Sequence, residues 1–234
     1  MIKIYKNLIS FFAKFIRFFY KSITLESYIT NHEQFLDLKV PYISKRATIY
    51  IEKLINDKKY LTCFEWGSGG STLWLESKMS KITSVEESDF WFKLLKNKIN
   101  PDITNLIFVN TTESSADDKN NYLRSQKSGF KNKNYFEYAK CIDNFGKFDL
   151  IIIDGRVREA CLYKALNHLN KKGAIIFDDT YRKRYKKVIK SLDNKLYKLK
   201  NIYGLSRFQL KISKVTIITS VGLCSCLSTT QIHY

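Results

Sequence analysis

Proline is almost missing from this chain, with two in 234 residues, and histidine is nearly as rare at three. No histidine stands where it makes a safe general base: His32 and His233 lie outside the expected core, and His168 falls late in a helix. The five cysteines, Cys63, Cys141, Cys161, Cys224 and Cys226, are odd in number. None shows the two-residue gap of a zinc knuckle, which excludes a disulfide scaffold and a ribbon-type metal site. Three sit in or beside apolar runs, where cysteine behaves as a small core hydrophobe, and a reducing cytoplasm is the expected compartment. No uninterrupted apolar run approaches the roughly 20 residues of a membrane span. Acidic residues are scarce, 22 against 40 Lys and Arg, for a net charge of +18. Such a field attracts nucleic acid, anionic lipid or acidic substrates without choosing among them, and biased genome composition accounts for it equally well.

What remains is ordinary globular material. An apolar fraction of 44% excludes disorder and collagen-like classes, and the length suits one buried α/β core. From Met1 to Ile23, polar residues recur in steps of three and four at Lys3, Asn7, Ser10, Lys14, Arg17 and Lys21, which predicts a basic amphipathic helix. Lys14 and Arg17 interrupt its apolar part, so it does not read as a signal peptide. Two readings stand open: a helix lying on anionic lipid at the inner membrane surface, or one packed on protein. Residues 1–40 then form helix and linker, 41–220 one domain, and 221–234 a tail.

Within the domain a helix is predicted over Pro41 to Ile55. Strands follow at Leu61 to Glu65, Ile82 to Glu86, Asn105 to Val109, Asp149 to Asp154 and Lys172 to Asp178. Helices over Ser71 to Lys78, Phe90 to Lys98 and Arg158 to Leu169 alternate with them. Leu210 to Thr219 and part of Leu196 to Tyr203 read as late edge strands. The alternation predicts a Rossmann-like, doubly wound, mostly parallel sheet. Thr111 to Lys147 is polar, basic and aromatic with no clear strand, a connection long enough to read as an insertion or a lid over substrate.

Ligands of such sheets bind beyond the carboxyl ends of the strands, where strand order reverses. The first strand ends in Glu65-Trp66-Gly67-Ser68-Gly69-Gly70-Ser71, a glycine turn with Ser71 placed to cap the next helix. Glu86, 21 residues after Glu65, ends the second strand where a carboxylate can accept both hydroxyls of a ribose. These features also fit a dinucleotide enzyme. A carboxylate at Glu65 would repel a pyrophosphate on that turn, however, and Thr72 stands where the third glycine of the dinucleotide pattern belongs. No Gly-Lys-Ser or Gly-Lys-Thr is present, which excludes a triphosphate loop. The charge argument favours a cationic sulfonium cofactor.

The strings Phe64-Glu65-Trp66-Gly67-Ser68-Gly69-Gly70-Ser71-Thr72 and Ser84-Val85-Glu86 resemble the first two motifs of class I S-adenosylmethionine-dependent methyltransferases. Asp149 to Arg156 and Gly173 to Asp179 resemble that fold's fourth and fifth strands, and the likeness runs from about Pro41 to Leu192. It implies that Glu65 meets the methionyl ammonium and that Gly67, Ser68, Gly69 and Ser71 line the cofactor. It further implies that Glu86 holds the ribose and that Asp154 lies beneath the methionine portion. Asn110 stands where an acidic adenine contact is common.

Asp154, Asp178 and Asp179 at two adjacent strand ends would crowd negative charge unless a cation joins them. Similar residues hold magnesium in metal-dependent O-methyltransferases, so the resemblance implies a metal site, with Asp154 and Asp178 as catalytic residues. The alternative is that Asp178 and Asp179 cap the following turn while Asp154 serves the cofactor alone. Arg156, Tyr181 and Arg182, with Arg158 and Arg184 nearby, read either as a clamp for an acidic or phosphorylated substrate or as a solvated helix start. No Asn-Pro-Pro-Tyr, Asp-Pro-Pro-Tyr or Pro-Cys follows the fourth strand, which disfavours base methylation of those kinds. The expected activity is O-methylation of a sugar, glycan or small-molecule hydroxyl. An RNA methyltransferase, a nicotinamide-dependent oxidoreductase and a non-catalytic scaffold are the alternatives.

Overall fold

The computed structural model describes residues 32–58, 61–113, 123–125, 130–192, 194–207 and 212–221. The helix expected over Met1 to Ile23 lies outside the described residues, as does the tail beyond Val221. Among the described residues no helix is long and apolar enough to cross a membrane.

Helices α1 (His32–Asp37), α2 (Lys45–Lys58), α3 (Gly70–Leu75) and α4 (Asp89–Lys96) alternate with strands β1 (Thr62–Trp66), β2 (Lys81–Glu86) and β3 (Thr104–Phe108). A short ribbon, β4 (Thr112–Glu113) with β5 (Lys133–Asn134), precedes α5 (Phe136–Lys140). Then come β6 (Phe148–Ile153), α6 (Arg158–Asn167), β7 (Leu169–Phe177), α7 (Lys183–Lys190), β8 (Tyr197–Leu205) and β9 (Ile212–Ser220). The main sheet runs β3-β2-β1-β6-β7-β9-β8. Its first five strands are parallel, and β9 is antiparallel to both β7 and β8. Strand order reverses between β1 and β6, which opens a crevice at their carboxyl ends.

The apolar run in β6 is continuous because the strand is buried on both faces. Ile151 and Ile153 pack with Phe64, Trp66 and Phe177 under α5, α6 and α7, while Leu150 and Ile152 pack with Ala47, Ile51 and Leu75 under α2 and α3. Cys63, Cys141 and Cys161 are free and buried, as core hydrophobes should be. The folded body reaches further toward the amino terminus than the expected boundary at residue 40. Phe35 and Leu36 of α1 are buried with Leu73 of α3, because two adjacent apolar residues on a six-residue helix have nowhere else to go.

The described part of the segment between β3 and β6 that leads into α5 packs into the core. Tyr135 and Tyr138 are fully buried, and the Trp66 indole N–H donates to the Tyr138 carbonyl at 2.9 Å. Two aromatic anchors therefore hold this connection against the end of β1.

The ends of β1 and β6 approach each other so closely that both need glycine. Gly67 has φ +92°, and a Cβ there would lie 2.7 Å from the Gly155 backbone. Gly67→Ala is expected to lower stability by about 2–4 kcal/mol, combining left-handed strain with backbone overlap, seen as a lower urea midpoint at unchanged slope.

Candidate active site

A cleft of about 1660 Å³ opens at the carboxyl ends of β1, β2 and β6. Most small-ligand pockets hold roughly 300–1,000 Å³, so this one has room for two molecules side by side. Gly67, Ser68, Gly69, Ser71, Glu86, Asn110 and Asp154 all line it, as expected from their places at the strand ends.

Glu65 is not among the lining residues, and the structure places it behind the glycine turn. Its side chain is fully buried. Ser71 Oγ donates to one carboxylate oxygen at 2.5 Å, and Thr72 Oγ1 and Ser84 Oγ donate to the other at 2.6 Å. Thr72 Oγ1 in turn accepts the Gly69 N–H at 2.9 Å, and Ser84 Oγ pairs with Ser68 Oγ at 2.7 Å. Thr72 therefore satisfies the helix start that Ser71 was expected to cap, because Ser71 is drawn to the carboxylate. The geometry gives Glu65 the part of a positioning residue that fixes the turn from beneath. Burial pushes its acid group up, against the pull of the three hydroxyls.

The acidic side chains facing the cleft stand on β2 and β6 instead. Glu86 is held rigidly: Ser68 N donates to one oxygen at 2.9 Å, and Glu87 N and Ser88 N donate to the other at 3.0 and 2.8 Å. Desolvation outweighs these bonds and pushes its pKa up to about 7. Glu87 accepts from Arg156 Nε at 2.9 Å, and the Arg156 guanidinium lies 4.7 Å from the centre of the Phe130 ring.

Asp154, Asp178 and Asp179 do converge, but the cation among them is Arg158. Its Nη2 lies 2.7 Å from Asp154 Oδ1, and its Nη1 lies 3.4 Å from Asp178 Oδ2 and 3.6 Å from Asp179 Oδ2. Arg182 closes on Asp179 from the other side. Asp154 and Arg158 line the cleft, whereas Asp178 and Asp179 do not. No group of three metal-ligating side chains suited to an ion occurs among the described residues. The magnesium expected from the resemblance therefore does not fit this trio. Asp178 as an acid or base in contact with substrate does not fit either. Its Oδ1 is buried without a partner, and burial beside Asp154 pushes its pKa up to about 8.

Of the expected substrate residues, Arg156 and Arg182 line the cleft and Tyr181 does not. Lys133, Lys183 and Arg184 join them there, with Glu159 among them, and Arg156 spans to Glu87. The sequence placed Arg158 among arginines that could offset the nearby aspartates, and its spacing of four from Asp154 at a helix start singles it out for that pairing. Val157, between the two arginines, is held at φ 40° and ψ 42°. A β-branched residue pays about 1–3 kcal/mol for such backbone, and the strain fixes where its neighbours point.

No protein-family model matches the sequence, and no curated protein matches it. Solved structures do. One is an O-methyltransferase from Bacillus cereus in complex with S-adenosylhomocysteine, 13% identical with TM-score 0.58, covering 87% of this chain and 96% of that one. Another is the O-methyltransferase TomG from Streptomyces achromogenes, involved in tomaymycin synthesis and in complex with S-adenosylmethionine. It is 10% identical with TM-score 0.52, covering 88% and 96%. A third is an rRNA methylase from Streptococcus thermophilus, 11% identical with TM-score 0.53, covering 77% and 99%. The chain has the Rossmann-like fold of class I methyltransferases.

Two outcomes follow from the buried carboxylates. Glu65→Ala would strand three hydroxyls and loosen the glycine turn, lowering stability by about 2–4 kcal/mol in urea denaturation. Glu86 and Asp178 bind protons more tightly folded than at their ordinary values of 4.5 and 3.8. Their contribution to stability is complete below those values and is lost as pH rises through about 7 and about 8, by up to roughly 1.4 kcal/mol per pH unit for each group. Denaturation curves across this range should show the decline, and Glu86→Gln should remove its lower part.

Proposed function

We propose that this chain is an S-adenosylmethionine-dependent methyltransferase acting on an oxygen of a small-molecule, sugar or glycan acceptor. The observation that carries the reading is Glu86. A carboxylate fixed by three backbone N–H groups at the end of β2, beside the Gly67–Gly69 turn, suits the two hydroxyls of a ribose. When bound, S-adenosylmethionine supplies an electrophilic methyl group on a sulfonium.

The residues around Glu86 support the same reading. Gly67, Ser68 and Gly69 offer backbone close to a ligand, and Asn110 lies beyond β3 on the side of an adenine. Glu86 stands beside the glycine turn, and an acidic group there suits a sulfonium and ammonium better than a pyrophosphate. This argument replaces the one based on Glu65. Lys133, Lys183 and Arg184, which also line the cleft, suit an acceptor that carries negative charge, which they would hold by charge-assisted hydrogen bonds. The known O-methyltransferases of like fold agree with this class of reaction.

Isothermal calorimetry with S-adenosylhomocysteine and with NADH tests the assignment. One molecule of S-adenosylhomocysteine per chain is expected, with no heat from NADH. Glu86→Ala should weaken the affinity at least tenfold, about 1.4 kcal/mol. Wild-type affinity should fall as pH drops through about 7, where Glu86 gains a proton and one oxygen ceases to accept freely. Tight NADH binding, or an undiminished affinity in Glu86→Ala, would overturn the reading.

A further inference from the structure

The crowding of Asp154, Asp178 and Asp179 poses a question of its own: what cation makes three acidic side chains, two of them buried, tolerable at two neighbouring strand ends? Arg158 reaches all three. It is also tied to the backbone, donating from Nη2 to the Asp154 carbonyl at 2.7 Å and from Nε to the Gly155 carbonyl at 3.0 Å. Five contacts hold a guanidinium whose side chain is only 9% exposed. Val157, in left-handed backbone at φ 40°, directly precedes Arg158 at the start of α6.

We infer that Arg158 is a built-in cation standing where a divalent ion would have to sit, so that this cluster takes up no divalent metal. An oxygen-ligated magnesium needs near-octahedral coordination at about 2.0–2.1 Å. Here the carboxylate oxygens turn toward a planar cation that already carries a charge, and a second cation among them meets direct repulsion. To admit the ion, Arg158 would have to leave two backbone carbonyls and three carboxylates. Breaking a buried ion pair in this way leaves uncompensated charge in the interior. Asp178 and Asp179 also lie behind the guanidinium as seen from the cleft, so an ion entering with substrate would meet Arg158 first. Methyl transfer at this site then draws no Lewis-acid help from these aspartates, and Arg158 acts as a positioning residue that holds Asp154 in place.

The test is binding of Mn2+, followed by electron paramagnetic resonance on the whole chain with and without S-adenosylhomocysteine. Its readout does not depend on turnover, so it stands apart from the assignment of activity. Wild-type protein is expected to leave the free Mn2+ signal undiminished up to millimolar concentration. Arg158→Met, neutral and of similar length, should gain one Mn2+ site that Asp178→Asn in the same background removes. Arg158→Lys, which keeps the charge, should again exclude the ion. A wild-type site lost in Asp178→Asn or Asp179→Asn would overturn the inference, as would a folded Arg158→Met protein that still rejects Mn2+. Should Arg158→Met fail to fold by circular dichroism, the wild-type and Arg158→Lys titrations decide: a bound ion in either refutes the inference, and exclusion by both upholds it.

Discussion

Glu65 lies at the bottom of the whole arrangement. A carboxylate with no access to water must find donors, and in this chain it finds hydroxyls from α3 and β2. Two of these hydroxyls stand on α3 and one on β2, so satisfying one buried group ties the glycine turn to both elements. The turn then presents the Ser68 N–H to Glu86, and Glu86 acquires its orientation from that bond and from its own two neighbours. A chain of hydrogen bonds thus runs from the floor of the sheet to the wall of the cleft. Such networks strengthen in a low-dielectric interior and are costly to leave half made.

The second organising feature is the placement of charge in the cleft. Carboxylates on β2 and after β6 line it together with cations from the β5, β6 and β7 sides, Arg158 among them. The chain carries +18 overall, yet the part of the cleft around Glu86 and Asp154 is acidic. Local placement thus sets acidic groups beside the glycine turn in a chain of strongly positive net charge.

Much of this was legible in the sequence because it follows from periodicity and strand ends. The five parallel strands appear within about two residues of their expected positions, since continuous apolar runs between glycine turns fit little else. The residues expected to line the cofactor do line the cleft except Glu65, while Asp178, Asp179 and Tyr181 stand outside its lining. The burial of Glu65 was hidden because the sequence shows that a carboxylate precedes a glycine turn but not that Ser71, Thr72 and Ser84 all point back at it. The aspartate trio illustrates the same limit. Convergence of Asp154, Asp178 and Asp179 could be read from β6 and β7 being neighbours, but the identity of the cation depended on a side-chain path from α6. Between β3 and β6, hydrophobic periodicity is absent because two isolated tyrosines do the anchoring, and isolated anchors leave no repeat to detect.

The outer edge of the sheet carries a consequence for how the folded protein behaves among its copies. β8 spans nine residues, and no strand pairs with its outer side among the described residues. A long open edge of this kind invites strand addition and aggregation. Here its exposed positions include Lys198, Lys200 and Asn201, and the Lys200 ammonium lies 4.3 Å from the centre of the Tyr50 ring on α2. Like charges would have to be brought face to face before a second β8 could add. Part of the lysine excess that says nothing about substrate thus acts as a deterrent to unwanted self-association.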